Sequence, residues 1–231
     1  LVGYTAGAWF WISGALVIEV NAIANSRAGE ILSGCLFGQA HEKELDQKLK
    51  DALDILRNEI DRVAISEHLI LVSGNFSQKF LADFSSEATP TPYGEHGTLY
   101  LQGRGDPKAK WKDELLMDAE SGDVEHLRQA IDRLEGRAPS ATILREGATY
   151  GDLYGTYAPA RLAKLLEGRH HDLAEKLIAA GASNVEIHVD ARTGLTMVAD
   201  VLGTNTLANG LLSRGLGAAA AVWKLKAQTD G

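Results

Sequence analysis

A helix–turn–helix pattern that returns after 34 residues is the feature that most constrains the fold of this chain. Apolar residues in segment 170–182 fall at helical spacing, and Gly181 follows them as the left-handed residue that commonly ends a helix. Segment 195–215 repeats this arrangement. Arg169 and Gly203 occupy equivalent turn positions, 34 positions apart. Such a period is typical of helical repeat proteins, in which each unit buries its apolar face against the next.

Two short runs make this pattern more specific. Residues 119–124 read Ala-Glu-Ser-Gly-Asp-Val, and residues 177–182 read Leu-Ile-Ala-Ala-Gly-Ala. On these runs the chain resembles the ankyrin-repeat family, with degenerate repeats over 111–135 and 158–216. The resemblance implies an all-α fold, an irregular ankyrin-like helical-repeat solenoid with short β-hairpin inserts. It predicts stacked helix pairs at 112–134, 158–180 and 195–214.

The same interpretation divides the chain into two regions. We expect residues 1–110 to form a helical region, which can be divided into further degenerate repeats, with a loop insert at 88–110. We expect residues 111–231 to hold the ankyrin-like repeats, followed by a C-terminal cap at 218–226. The longer-than-repeat spacing predicts a second insert at 136–157.

Two alternating runs interrupt the helical pattern. Apolar and polar residues alternate at 98–101, inside the first insert, and again at 185–190. Alternation with a period of two is typical of a strand with one buried face. We therefore expect a short hairpin strand at each of these positions.

Charge and composition narrow the classes of function. The formal net charge of −8 disfavours nucleic acid as a partner, because an acidic surface repels phosphates. The single cysteine, Cys35, excludes an internal disulfide and a Cys-rich zinc site. The sequence holds no phosphate-binding loop, nucleophile elbow or zinc-protease motif. We therefore expect a protein that is not an enzyme, with no catalytic residues, no metal and no cofactor.

The N-terminal segment leaves the location of the protein open. Residues 1–18 carry no charge, and about 18 apolar residues are enough to suggest a membrane span. Glu19 and Asn21 then interrupt the apolar run. We expect a buried helical hairpin in a cytoplasmic protein with no membrane partner. A membrane-anchored or secreted protein is the alternative.

The two inserts are the candidate binding elements. Long ordered loops are often functional, and tyrosine and arginine are enriched at the centres of protein interfaces. We therefore predict a scaffold or adaptor that binds another protein through these loops and through the concave face of the repeats. The predicted partner-binding residues are Tyr93, Tyr100, Arg104, Tyr150 and Tyr154.

Other interpretations of these features remain open at this point. The tyrosines could instead hold the long loops against the repeats. An acidic stretch at 113–125 is a second candidate surface, suited to a basic partner. The alternative function is an enzyme or effector with a functional N-terminal region and an ankyrin-like targeting module.

Overall fold

The computed structural model describes a chain built mainly of β-strands. The described residues are 14–27, 29, 54–66, 68–86, 88–101, 106–119, 122–139, 147–160, 169–192, 196–210 and 212–214. They contain ten strands: β1 (Gly14–Ile18), β2 (Ile60–Ser66), β3 (Leu69–Gly74), β4 (Thr89–Tyr93), β5 (Gly97–Leu101), β6 (Lys108–Trp111), β7 (Glu114–Asp118), β8 (Leu153–Tyr157), β9 (Ala182–Asp190) and β10 (Thr196–Gly203). The described helices include α1 (Val20–Ala24), α2 (Gln78–Phe84), α3 (Val124–Leu134) and α4 (Arg169–Ala179).

The predicted all-α solenoid is therefore wrong, and the concave repeat face is wrong with it. β7 and β10 occupy the first helices predicted for the pairs at 112–134 and 195–214. The second helices of two predicted pairs are confirmed, because α3 and α4 form at those positions. The strands predicted at 98–101 and 185–190 are confirmed as parts of β5 and β9.

The chain divides into two compact units. The first comprises Leu1–Gly155 and His188–Met197, and the second comprises Thr156–Ile187 and Val198–Gly231. In the first unit the strand order is β8-β1-β2-β3-β7-β6-β5-β4. Within this order, each two neighbouring strands in the stretch β1-β2-β3-β7-β6-β5-β4 are antiparallel. Chain neighbours are often sheet neighbours here, but β3 pairs with β7 and so brings distant segments together.

Helices pack on both faces of the first unit's sheet. One face, here called the α3 face, buries Leu71 and Leu116 together with Leu127 and Ile131 of α3. The opposite face, here called the α2 face, groups three buried residues with Phe80, Phe84 and other apolar side chains; the buried residues are Ile60, Val72 and Leu115. Apolar burial on both faces is the main stabilisation that this sheet gains on folding.

The second unit follows the order β10-β9-β8 through the parts of these strands that belong to it. Gly181 comes after α4 with a φ of +83°, which confirms the left-handed residue predicted there. Its carbonyl accepts the Thr204 N–H at 2.9 Å. Asn184 on β9 also donates to the Thr156 hydroxyl on β8. These bonds connect α4, β8, β9 and the turn after β10.

The N-terminal prediction is only partly covered by the described residues. Gly14–Ile18 forms β1, so this part of the predicted helical hairpin is wrong. Residues 1–13 and the predicted cap at 218–226 lie outside the described residues. No helix in the described part of the chain is both long enough and apolar enough to cross a bilayer.

Candidate functional site

A row of polar side chains crosses the α3 face of the first unit. Arg62 on β2, Ser73 on β3 and Glu114 on β7 are in register as Cα partners. Glu19 directly follows β1 and contacts Arg62, and Tyr154 on β8 contacts Glu19. We call these five residues the polar row. The order of strands in the sheet brings them together, because they come from five separate segments of the chain.

An irregularity in β2 turns Arg62 onto the α3 face. Ile60 and Arg62 are two positions apart and would share a face in a regular strand. The register shifts between them, because Ile60 pairs with Gly74 while Arg62 pairs with Ser73. Ile60 consequently belongs to the α2-face cluster, whereas Arg62 reaches Glu19. Bulges of this kind often redirect a side chain beside a functional site.

Glu19 joins two members of the row. Its Oε1 atom lies 2.8 Å from the Nε atom of Arg62 and accepts a hydrogen bond of 3.3 Å from the Tyr154 hydroxyl. The Arg62 side chain remains 39% exposed, whereas Tyr154 is buried. Burial raises the pKa of Tyr154, so its hydroxyl stays a donor at neutral pH. The guanidinium is thus fixed in direction and still open to solvent.

Glu114 is the least satisfied member of the row. Ser73 donates to its Oε1 atom over a long 3.4 Å, while Oε2 is buried and accepts no hydrogen bond from the described residues. Burial raises the pKa of Glu114 from 4.5 to about 6, although the Ser73 hydroxyl and the positive charge of Arg62 act in the opposite direction. A group whose pKa is displaced by burial is a candidate for binding or proton transfer.

Beyond Glu114, the row continues towards α3 through uncharged residues. Trp111 pairs with both Glu114 and Gly97, and Gly97 pairs with Tyr93. We call Trp111, Gly97 and Tyr93 the closed end of the row, because α3 lies over it. A Cβ atom on Gly97 would lie 3.0 Å from Cδ1 of Ile131 in that helix.

A carboxylate with many donors secures the closed end. Glu135 directly follows α3, and its side chain is 6% exposed. It accepts hydrogen bonds from the backbone N–H groups of Glu95 and His96 and from the indole N–H of Trp111, and it pairs with Arg137 at 2.9 Å. Burial alone raises the pKa of Glu135, but these donors outweigh it and the pKa is lowered. This contact fixes the β4–β5 turn to α3.

Tyr150 lies on the segment that leads into β8. Its ring is stacked on His188, with ring centroids 3.8 Å apart and ring planes 8° apart. Tyr150 remains 47% exposed, whereas His188 is buried. The Asp152 backbone holds this segment in place, since its N–H donates to Val189 and its carbonyl accepts the Glu19 N–H, both at 2.7 Å. Tyr150 is therefore an exposed aromatic ring in a fixed orientation.

His126, at the start of α3, has a structural role. His126 Nδ1 lies 2.9 Å from Asp118 Oδ1, and Asp118 Oδ2 accepts the Asp123 N–H at 3.0 Å. His68 stacks on His126 with planes 16° apart. Near-parallel rings do not direct their nitrogens towards one point, so this arrangement suits packing better than metal binding. Asp118 is thus a buried anchor within the acidic stretch that the sequence offered as a surface.

The structure separates the five residues predicted to bind a partner. Tyr154 belongs to the polar row, and Tyr150 lies four positions before it in the chain, stacked on His188. Tyr93 is on the α3 face, where its hydroxyl donates to Asp132 at 3.2 Å, but Tyr100 is on the α2 face, where its ring meets Phe84 edge-on. Arg104 lies outside the described residues.

Sequence reasoning missed three members of the row, Glu19, Arg62 and Ser73, and included Glu114 only as part of the acidic stretch at 113–125. A signal was available for Arg62 and Glu114, because each is a charged residue in a strand segment that is mainly apolar. Charged residues are rarely buried unless they are paired or functional. That signal depends on assigning these segments as strands, and it disappears when they are assigned as solvated faces of helices.

Comparison with known proteins does not assign the chain to a family. No protein-family model matches the sequence, and no curated protein matches it either. The ankyrin resemblance therefore finds no support. A solved structure described as "Structure of crystal form I of TP0453" is similar at 11% identity and a TM-score of 0.44, over 89% of this chain and 82% of that chain. A likeness at this level supports no statement about function.

Proposed function

We propose that this chain is a non-catalytic binding protein that takes a segment of another protein against the polar row. The observation that carries the proposal is the buried Oε2 atom of Glu114, which has no donor among the described residues. A buried acceptor without a donor costs free energy, typically about 1–3 kcal/mol. A partner that supplies the donor would recover this free energy on binding.

The neighbouring side chains have the properties of an interface. Tyrosine and arginine are the residue types enriched where binding energy is concentrated. Arg62 is held by Glu19 and Tyr150 is held by His188, yet each keeps more than a third of its surface exposed. Side chains fixed before binding lose less conformational entropy when the complex forms. Tyr150 therefore carries over from the sequence prediction as a proposed contact.

Affinity capture followed by titration tests this proposal. Wild-type protein and the variants Tyr150→Ala and Glu114→Gln are immobilised and exposed to a native extract, and the retained proteins are quantified by mass spectrometry. A partner retained by wild type is then purified and titrated. We expect each variant to weaken its binding by about tenfold or more, which corresponds to about 1.4 kcal/mol.

Matched variants away from the row serve as controls. Tyr100→Ala removes a tyrosine from the α2 face, and Glu125→Gln removes a carboxylate that is 54% exposed. Both should retain the partner at wild-type affinity, and melting temperatures should establish that all four variants are folded. Equal binding by wild type, Tyr150→Ala and Glu114→Gln would contradict the proposed site.

A further inference from the structure

We infer that the group which the partner places against Glu114 is a basic side chain, a guanidinium or an ammonium. This inference rests on the function proposed above and adds the chemical class of the ligand. It starts from the position of Glu114 in the row, where one carboxylate oxygen is buried and lacks a donor among the described residues.

The charges of the row leave Glu114 in excess. Glu19 and Arg62 form an ion pair at 2.8 Å and neutralise each other. Outside this pair, the charged residues that act on Glu114 are Lys112 and Asp113, in the turn before β7, and they act in opposite directions. Lys112 is directed at the Trp111 ring, with Nζ 4.4 Å from the ring centroid. The site therefore has one negative charge that no neighbour compensates fully.

A neutral donor would supply the missing hydrogen bond to Glu114 but would not compensate its negative charge. An amide or hydroxyl group could bond to Oε2, but the carboxylate charge would remain without a counter-ion in a partly buried position. A cation supplies both the donor and the opposite charge, and hydrogen bonds between charged groups are about twice as strong as neutral ones. The net charge of −8 also attracts basic partners over longer distances.

The burial of Oε2 favours a long side chain over a peptide backbone as the group that reaches it. Oε2 is buried, while Arg62 two strands away is open to solvent. Arginine and lysine carry their charge on a long apolar stem that can pass along apolar surface into a recess.

A proton is the competing occupant of the same oxygen. The pKa of Glu114 is raised to about 6, so protonation removes the negative charge only in mildly acidic solution. Above that pH the carboxylate is mostly ionised and available to a cation. A basic ligand and a proton should therefore exclude each other at Glu114, which gives the experiment its readout.

Carbon-13 NMR of the glutamate side-chain carboxyl groups can measure this competition. The Glu114 signal is assigned by its loss in Glu114→Gln and, independently, in Glu114→Asp. Its pH titration is recorded alone and then with methylguanidinium or methylammonium at up to about 50 mM, with the ionic strength held constant because salt screens charge interactions. N-methylacetamide serves as a neutral donor, and the exposed Glu125 is an internal control.

We expect the Glu114 midpoint near pH 6 to move down with either cation and to stay in place with N-methylacetamide. The Glu125 signal is the reference for effects of each probe that are not specific to Glu114. A Glu114 midpoint that neither cation moves, or that N-methylacetamide moves equally, would overturn the inference. Such a result would leave the proposed function standing wherever Tyr150→Ala and Glu114→Gln still abolish capture of a protein partner.

Discussion

Two carboxylates on the α3 face, one at the closed end and one in the polar row, have opposite environments. Glu135, at the closed end, is surrounded by backbone N–H groups, an indole N–H and a guanidinium. Glu114, in the polar row, has one long hydrogen bond from Ser73 and a second oxygen without a donor among the described residues. The pKa of Glu135 is lowered, and the pKa of Glu114 is raised to about 6.

This contrast separates a structural role from a functional one. Burial raises the pKa of both carboxylates. The number of donors around each one therefore decides whether its pKa ends above or below the ordinary value. Glu135 stabilises the fold because its donors are already present. Glu114 destabilises the fold when it is ionised, and residues at functional sites often do so. The predictions below test each half of this contrast.

The largest effect is expected from Glu135→Gln. The substitution removes the charge and turns an NH₂ group towards donors, which weakens the hydrogen bonds from two backbone N–H groups and from the partly buried indole N–H of Trp111. We expect a loss of about 3 kcal/mol in the free energy of unfolding at pH 7, measured by urea denaturation. Because the pKa of Glu135 is lowered in the folded state, its contribution is present above the unfolded value of 4.5 and is lost as the pH falls through the folded value. A loss that stayed the same at low pH would contradict this explanation.

The next effect tests how tightly α3 covers the closed end. In Gly97→Ala the added Cβ atom would lie 2.4 Å from the Tyr93 carbonyl oxygen and 3.0 Å from Cδ1 of Ile131. We expect this overpacking to destabilise the protein by about 1–3 kcal/mol in the same assay. Gly210→Ala is the control, because a Cβ atom there meets nothing within 4 Å. Equal stabilities for the two variants would contradict the tight packing of β4 and α3 around Gly97.

Unlike the two substitutions above, Glu114→Gln is expected to increase the free energy of unfolding. The folded pKa of Glu114 is raised above 4.5, so its contribution to stability is fully present below pH 4.5 and is lost as the pH rises through about 6. Glutamine stays neutral throughout, so we expect the variant to be more stable than wild type at pH 8, by up to about 2 kcal/mol. The difference should vanish near pH 4. Destabilisation at pH 8 would show that the ionised carboxylate is satisfied in the folded protein.

The sequence predicted local features of this fold better than its architecture. The helical stripe ahead of Gly181 and the alternation at 185–190 depend on neighbouring residues, and both predictions held. The segment around Leu115 and Leu116 failed for a physical reason. Leu115 is buried on the α2 face and Leu116 on the α3 face, so the strand shows no alternation and resembles a buried helix.

The candidate site was harder to predict, because it depends on strand pairing. Tyr150 and Tyr154 were singled out by residue type and loop position; Tyr154 belongs to the polar row, and Tyr150 stacks on His188 four positions before it in the chain. Glu19, Arg62 and Glu114 come together only through the strand order and the register shift in β2. A sequence pattern cannot specify which distant strands become neighbours.

The most direct test of the central claim compares binding with stability for one substitution. The partner obtained by affinity capture is titrated calorimetrically into wild type and Glu114→Gln at pH 8, and the unfolding free energies of both proteins are measured in the same buffer. We predict that Glu114→Gln is the more stable protein and binds the partner about tenfold or more weakly. A variant that is more stable and binds as tightly as wild type would contradict a binding role for Glu114.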